Sequence, residues 1–282
     1  MHKNGRITRA EYRRRKKRKR IKWLIILIIS LLICTLCIIK IFIWNKDNNK
    51  IDEITKDIDT KKIVKETQTE TAENINPPEN KSDDYWNYIK MDMMSVDFNE
   101  LKKKNSDTVG FIKVNGTNVN YPIVQSNNNS YYLKHAFDKT PNSAGWVFAD
   151  YRNNMINFDK NTVIYGHSRS NQTVFGSLKK VLNKSWYSNK DNHIIKLSTP
   201  TENTLWQIVS IYTIAPESYY ITTKFSESQF QTFIKTIKER SQIQFSGTIN
   251  ENDKILTLST CEDVAGTRRL VIHAKLIKLD KR

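Results

Sequence analysis

The apolar and polar positions divide this chain of 282 residues into regions with different periods. From Trp23 to Ile39 the run WLIILIISLLICTLCII carries no charge. With Ile21 and Ile41–Trp44 it gives roughly 20 residues, enough to cross ~30 Å of hydrocarbon as one helix. Asn45–Ser82 is rich in Lys, Asp, Glu, Thr and Asn and closes on Asn76-Pro77-Pro78, a composition that predicts a solvated stalk, partly helical around Ile51–Val64. Asp83–Lys104 has apolar residues at helical spacing and predicts one or two short helices.

Beyond Thr108 the period becomes that of strands. Val109–Val114 and Val119–Val124 form a pair about the tight turn Asn115-Gly116, with Pro122 marking an edge or bulge. A loop at Asn127–Asn129, a short helix at Tyr131–Phe137 and strands at Gly145–Ala149 and Thr162–Tyr165 follow. Then come a short helix at Val174–Leu182 and strands at Ile194–Ser198 and Thr204–Ile214. Ser226-x-x-Gln229 is a capping box, opening a helix whose apolar face is Phe230, Phe233, Ile234 and Ile237. Near the end, Leu256 and Leu258 alternate with Thr257 and Ser259; Glu262–Thr267 reads as a turn, and Leu270-Val271-Ile272 resumes the β pattern. Seven or eight short strands with two or three helices predict a mainly β domain, a closed or nearly closed barrel with N-terminal helices and a helix inserted before the last strands.

A net charge of +17 would suit a nucleic-acid binder, but its distribution argues against that reading. Residues 1–22 hold twelve Lys or Arg against the single acid Glu11, so +11 of the charge is a tail beside the apolar run. That flank predicts a cytoplasmic N-terminus, one membrane-spanning signal anchor over residues 23–44, and an extracellular remainder. Trp23 and Trp44 stand where interfacial indoles belong, and Lys22 and Lys40 can reach the headgroups. A cleaved signal peptide is the competing reading; the run is long for one and no A-x-A site follows. The expected organisation is a basic tail (1–22), an anchor (23–44), a polar linker (45–82) and an extracellular domain (83–282).

Cys34 and Cys37 lie within the apolar run, where a C-x-x-C pair lacks the partners of a redox or metal site. Cys261 is then the single cysteine of the exported part, either buried and inert or kept for its reactivity. It ends a strand, and Arg268 or Arg269 returns towards it on the next; a nearby guanidinium favours thiolate over thiol. The base must come from a histidine. His2 is in the tail, His273 reads as a packed mid-strand residue, and His135 and His193 read as solvated loop residues. His167 follows the strand Thr162–Tyr165 and a glycine, at a strand end like Cys261. A Cys/His pair of this kind is how a nucleophile and its base are assembled.

These residues also resemble a family. Thr257-Leu258-Ser259-Thr260-Cys261 is similar to the TLxTC signature of sortases, the membrane-anchored cysteine transpeptidases of Gram-positive bacteria. Tyr165-Gly166-His167 followed by Phe175-Gly176-Ser177-Leu178 resembles the histidine segment of class B sortases. Val109-Gly110-Phe111-Ile112, Tyr121-Pro122-Ile123-Val124-Gln125 and Arg269-Leu270-Val271-Ile272-His273 resemble their first strands and arginine strand, and the helix between Tyr219 and Ser241 resembles their inserted helix. The resemblance implies a sortase-like β-barrel behind one transmembrane helix. It implies an enzyme that cuts an LPxTG-, NPxTG- or NPQTN-like sorting signal after its Thr, holds the protein as a Cys thioester, and passes it to a cell-wall amine, either lipid II-like or of peptidoglycan.

In that scheme Cys261 is the nucleophile, His167 the acid and base, and Arg269 the donor to substrate or oxyanion. Asn129, Leu133, Tyr220, Ile221 and Ser259 contact the substrate. No metal or cofactor is expected, Glu262 and Asp263 are not read as a calcium site, and no nucleic acid is a partner. Two readings compete. A pilin-polymerising sortase usually carries a lid before the barrel and a C-terminal membrane helix, whereas this sequence reaches Arg282 directly after its last strand. A membrane-tethered β-barrel adhesin gives no reason for Cys261, His167 and Arg269 to converge. A plain thiol hydrolase also remains, since water can resolve a thioester when no amine is present.

Overall fold

The computed structural model describes residues 8–58, 60–68, 70–79, 83–261 and 267–282. Two compact units divide the chain, one ending at Asn49 and one running from Lys50 to Arg282. The described residues of the first unit are helical from Arg9 onward. The helix Arg9–Asp57, whose last residues from Lys50 belong to the second unit, contains the whole apolar run and is long and apolar enough, by length and composition, to cross a membrane.

The second unit is built on eleven described strands. In chain order they are β1 (Val64–Thr67), β2 (Glu73–Asn74), β3 (Met93–Val96), β4 (Thr108–Val114), β5 (Asn120–Val124) and β6 (Phe148–Ala149). They continue with β7 (Asn161–Tyr165), β8 (Ile194–Ser198), β9 (Glu202–Ile214), β10 (Ile255–Cys261) and β11 (Arg269–Lys281). Eight of them run in the order β10-β7-β6-β5-β4-β8-β9-β11, and β11 pairs back onto β10. The sheet is therefore a closed barrel, which leaves no unpaired edge among these eight. Most neighbours are antiparallel; β10 with β7 and β5 with β6 are parallel.

Alternation explains the closure. Leu256 and Leu258 on β10, Ile164 on β7, and Leu270 and Ile272 on β11 enter the main core with Trp206 and Ile112. Every second residue points the other way. On that outer face Val209 and Ile255 receive Phe230, Phe233, Ile234 and Ile237 of the inserted helix Glu227–Glu239. Ser226 caps this helix in a full capping box with Gln229. Its last turn is tied to the barrel where Ser210 Oγ donates to Ile237 O at 2.6 Å.

Several expectations need correction. The polar stretch before the barrel is not wholly a stalk, because the second unit begins at Lys50 and not at residue 83. Ile51, Ile54, Ile58 and Ile63 are buried in the main core, β1 pairs with β3, and β2 adds to β11. Its charges are partnered too, Lys50 with Asp138 at 3.2 Å and Glu66 with Lys113 at 2.6 Å. A sparse isoleucine stripe is diluted by the charged residues around it, so the stretch reads as polar from its composition. Met93–Val96, expected to be helical, is a strand between short helices at Tyr85–Tyr88 and Phe98–Lys104. The helices expected at Tyr131–Phe137 and Val174–Leu182 are 3₁₀-helices, Tyr131–Leu133 and Gly176–Leu182. His193 is buried, not solvated: its Nε2 lies 2.9 Å from Tyr187 O and its Nδ1 3.3 Å from Tyr88 Oη. The expected turn Glu262–Thr267, including Glu262 and Asp263, lies outside the described residues as far as Gly266.

Candidate active site

The parallel pairing of β7 and β10 decides where the chemistry gathers. Parallel neighbours finish at the same rim of a barrel, and here Ser259 is in register with Tyr165. Two residues further along the chain stand Cys261, the end of β10, and His167, just past the end of β7. Cys261 is the last residue of β10 and faces Arg269, the first of β11, across the antiparallel ladder. The barrel's hydrogen-bonding pattern thus brings positions 167, 261 and 269 to one rim.

At that rim lies a cleft of about 450 Å³. His167 and Arg269 line it, as do all five of the expected contact residues: Asn129, Leu133, Tyr220, Ile221 and Ser259. Phe148, Tyr165 and Thr260 complete the inner wall, and Pro216 and Glu217 its outer edge. Leu133 is an exposed leucine in a polar neighbourhood. The two candidate arginines separate as alternation requires. Arg269 lines the cleft, whereas Arg268 turns to β9, where its Nη2 donates to Thr213 Oγ1 at 2.5 Å.

His167 is half-buried, and its Nε2 lies 2.9 Å from the carbonyl oxygen of Leu133. A carbonyl only accepts, so Nε2 carries the proton whether the ring is charged or neutral. Nδ1 is then the nitrogen that exchanges a proton. Burial lowers the His167 pKa, and the charges of Arg169 and Arg269 lower it further, against the opposing pull of the Leu133 carbonyl. Gly145 makes this packing possible. Its φ is +60°, and a Cβ there would meet Tyr132 O at 2.5 Å and His167 Cδ2 at 2.9 Å.

The wall residues are held from behind by a carboxylate that sequence reasoning missed. Asp150 is fully buried. It accepts from Asn129 Nδ2 at 2.9 Å and Tyr165 Oη at 2.8 Å, and takes a two-pronged contact from Arg152 at 2.8 and 2.7 Å. Arg152 Nη2 also donates to Ile221 O at 2.9 Å, so one acid reaches three parts of the cleft wall. Burial alone would raise the Asp150 pKa, but the hydrogen bonds from Arg152, Tyr165 and Asn129 outweigh it and hold the group below the usual carboxylate range. The available signal was an acid directly after the strand ending at Ala149, with an arginine two positions on.

Comparison with known proteins agrees with this architecture. The sortase domain family matches residues 112–277. Sortase B of Staphylococcus aureus is 36% identical over 185 residues, covering 64% of this chain and 75% of that protein. The chain belongs to the class B sortases. Sortase B of Listeria monocytogenes is 34% identical over 181 residues, covering 63% of this chain and 73% of that one. Among solved structures, the Staphylococcus aureus sortase B–substrate complex matches with a TM-score of 0.59 at 36% identity, over 64% of this chain and 84% of that one. A structure of Staphylococcus aureus sortase B by itself matches with a TM-score of 0.60, also at 36% identity, over 64% and 86%. This sortase is accordingly a cysteine transpeptidase that serves surface-protein anchoring.

Proposed function

We propose that Cys261 is the nucleophile of this sortase, with His167 and Arg269 as its partners and the 450 Å³ cleft as the seat of the sorting signal. The observation that carries the reading is the meeting of three strand ends on one rim, with Cys261 opposite Arg269 and β10 in step with β7, whose end lies two residues before His167. The Cys261 thiolate attacks the carbonyl carbon of the signal's Thr, and the oxyanion formed accepts a hydrogen bond from Arg269. As the C–N bond breaks, His167 Nδ1 gives its proton to the departing amine, leaving the protein as a thioester. An incoming cell-wall amine attacks that thioester, His167 takes the amine's proton, and the thiolate departs. Leu133, Tyr220 and Ile221 supply apolar wall for the signal's side chains, and Asn129 and Ser259 supply polar contacts.

Residues 23–44 are proposed to anchor the enzyme in the cell membrane, with the basic residues 1–22 in the cytoplasm and the catalytic unit outside. The acceptor is proposed to be an amine of a lipid II-like precursor or of peptidoglycan, and the signal to be of LPxTG, NPxTG or NPQTN type. Incubating the full chain in detergent with fluorogenic peptides of these three types tests the reading. One of them is expected to be cleaved, and Cys261→Ala to abolish cleavage. No turnover of any peptide, or equal turnover by the variant, overturns it.

A pH profile tests the pairing of His167 with the thiol. For two groups that must hold one proton between them, kcat/KM rises through the lower pKa and falls through the higher. The lowered pKa of His167 places the ascending midpoint below the ordinary histidine value, so it is expected on the acid side of about 6.5. An ascending midpoint above that value would contradict the assignment.

A further inference from the structure

We infer that His273 is a positioning residue, the hub of a buried ring of hydrogen bonds that fixes the Tyr220–Ile221 wall of the cleft. His273 is fully buried on β11, four residues beyond Arg269, and makes no contribution to the chemistry above. Its two nitrogens are both engaged, Nε2 at 2.8 Å from Tyr212 Oη and Nδ1 at 2.8 Å from Thr257 Oγ1. The neighbours extend each contact. Tyr219 Oη donates to Tyr212 Oη at 2.5 Å, and Thr257 Oγ1 donates to Asn161 Oδ1 at 2.6 Å. Asn161 Nδ2 then donates to the carbonyl oxygens of Tyr220 at 3.1 Å and Thr222 at 2.8 Å. The path leaves the chain at Tyr219 and returns to it at Tyr220, crossing β9, β11, β10 and β7 on the way.

The directions of these bonds are mutually consistent. Tyr219 donates to Tyr212, so the Tyr212 hydroxyl hydrogen is free to go to His273 Nε2, which must accept it. Thr257 spends its hydrogen on Asn161, so His273 Nδ1 carries the proton and donates to Thr257. Every member gives in the same sense round the ring, the arrangement in which neighbouring bonds reinforce one another. Burial drives the His273 pKa down to about 3, which keeps the ring neutral and this tautomer in place.

The segment so held packs by Tyr220 into a small buried cluster with Tyr212 and Val271, and the polar ring adds direction to that packing. Tyr219–Ile221 is a single 3₁₀ turn, with backbone bonds from Ile221 N to Ser218 O and from Thr222 N to Tyr219 O inside the segment itself. Its hydrogen bonds to the barrel include those of side chains: Asn161 at two carbonyls, Arg152 at a third, and the Tyr219 hydroxyl. Opening the ring at His273 or Tyr212 releases one side of the wall against which the signal's side chains are proposed to pack.

This inference rests on the reading of that cleft as the sorting-signal site, and the test separates the two. Full-length enzyme in detergent, in a background with Cys34 and Cys37 replaced by Ala, is assayed on the best-cleaved peptide of the panel. His273→Leu and Tyr212→Phe are expected to raise KM about five- to tenfold with kcat within twofold. The rate of Cys261 alkylation by iodoacetamide is expected to stay within twofold, a readout that general loosening of the barrel would move. If His273→Leu does not fold, Tyr212→Phe and Tyr219→Phe, which delete only a hydroxyl, carry the measurement. Tyr220→Ala reports on the cleft itself. An unchanged KM in folded Tyr212→Phe, with a raised KM in Tyr220→Ala, overturns the inference and spares the cleft. An unchanged KM in both overturns both. A fall in kcat and in alkylation rate at constant KM reduces His273 to a core residue and also overturns it.

Discussion

Replacing Arg269 with alanine is expected to lower kcat by about 100- to 1000-fold while leaving KM within about threefold. That is the usual cost of removing one fixed donor to an oxyanion, equivalent to about 3–4 kcal/mol of barrier. The expectation follows from position: Arg269 opens β11 directly opposite Cys261 and lines the cleft. A donor aimed at charge that develops only in the transition state affects kcat, not ground-state affinity. Arg269→Lys should recover less than about tenfold, because a point ammonium cannot reproduce the planar guanidinium fork. Arg268→Ala is the internal comparison, since that side chain is directed at Thr213, and it should stay within twofold. Steady-state kinetics on one cleaved peptide reads all three. A loss confined to KM would make Arg269 a ground-state binding residue, and a larger loss at Arg268 would exchange the two roles.

Asp150→Ala is expected to destabilise the catalytic unit by about 3 kcal/mol, the low end of what breaking a buried pair costs, because Arg152 is exposed enough to regain some water. For a domain of this size that corresponds to a fall in Tm of about 6–12 °C. The effect has a definite pH dependence. The folded-state pKa of Asp150 is depressed, so its contribution is fully present above the unfolded value of about 3.9 and disappears as pH falls through the folded value. The gap in Tm between wild type and variant should therefore be constant near neutrality and narrow only below about pH 4. Calorimetry of the two proteins at several pH values checks this. Folded variant at low temperature should also show a raised KM, because Asn129, Tyr165 and, through Arg152, Ile221 lose a shared support. A Tm gap that widened on acidification would contradict the assignment of the stabilising charge to Asp150.

The legible parts of the sequence were those where local pattern and global fold agree. Strands β4, β5, β8, β9 and β10 announce themselves by alternation, and the inserted helix by its capping box and i, i+3, i+4, i+7 face. Cys261 and His167 stood out because each follows an apolar strand, where a barrel delivers side chains to its rim. The remainder was hidden for physical reasons. Ile51, Ile54 and Ile58 are buried by a helix that carries its charges on the other faces, so average polarity masks a narrow stripe. Asp150 acts through partners at 129, 152 and 165, a convergence that tertiary structure alone creates. His273 looked like an ordinary strand residue because nothing local foretells Tyr212, Thr257 and Asn161 around it.

The in-step pairing of β7 with β10 has a consequence for how such an enzyme can be altered. Spacing between the proposed nucleophile Cys261 and the proposed proton carrier His167 follows from main-chain hydrogen bonds, which tolerate exchange of the amino acids they link. The surfaces proposed to read the peptide hang on separate segments, at Asn129–Leu133 and at Tyr220–Ile221. Recognition can therefore be redesigned by swapping those segments while the reacting atoms keep their places.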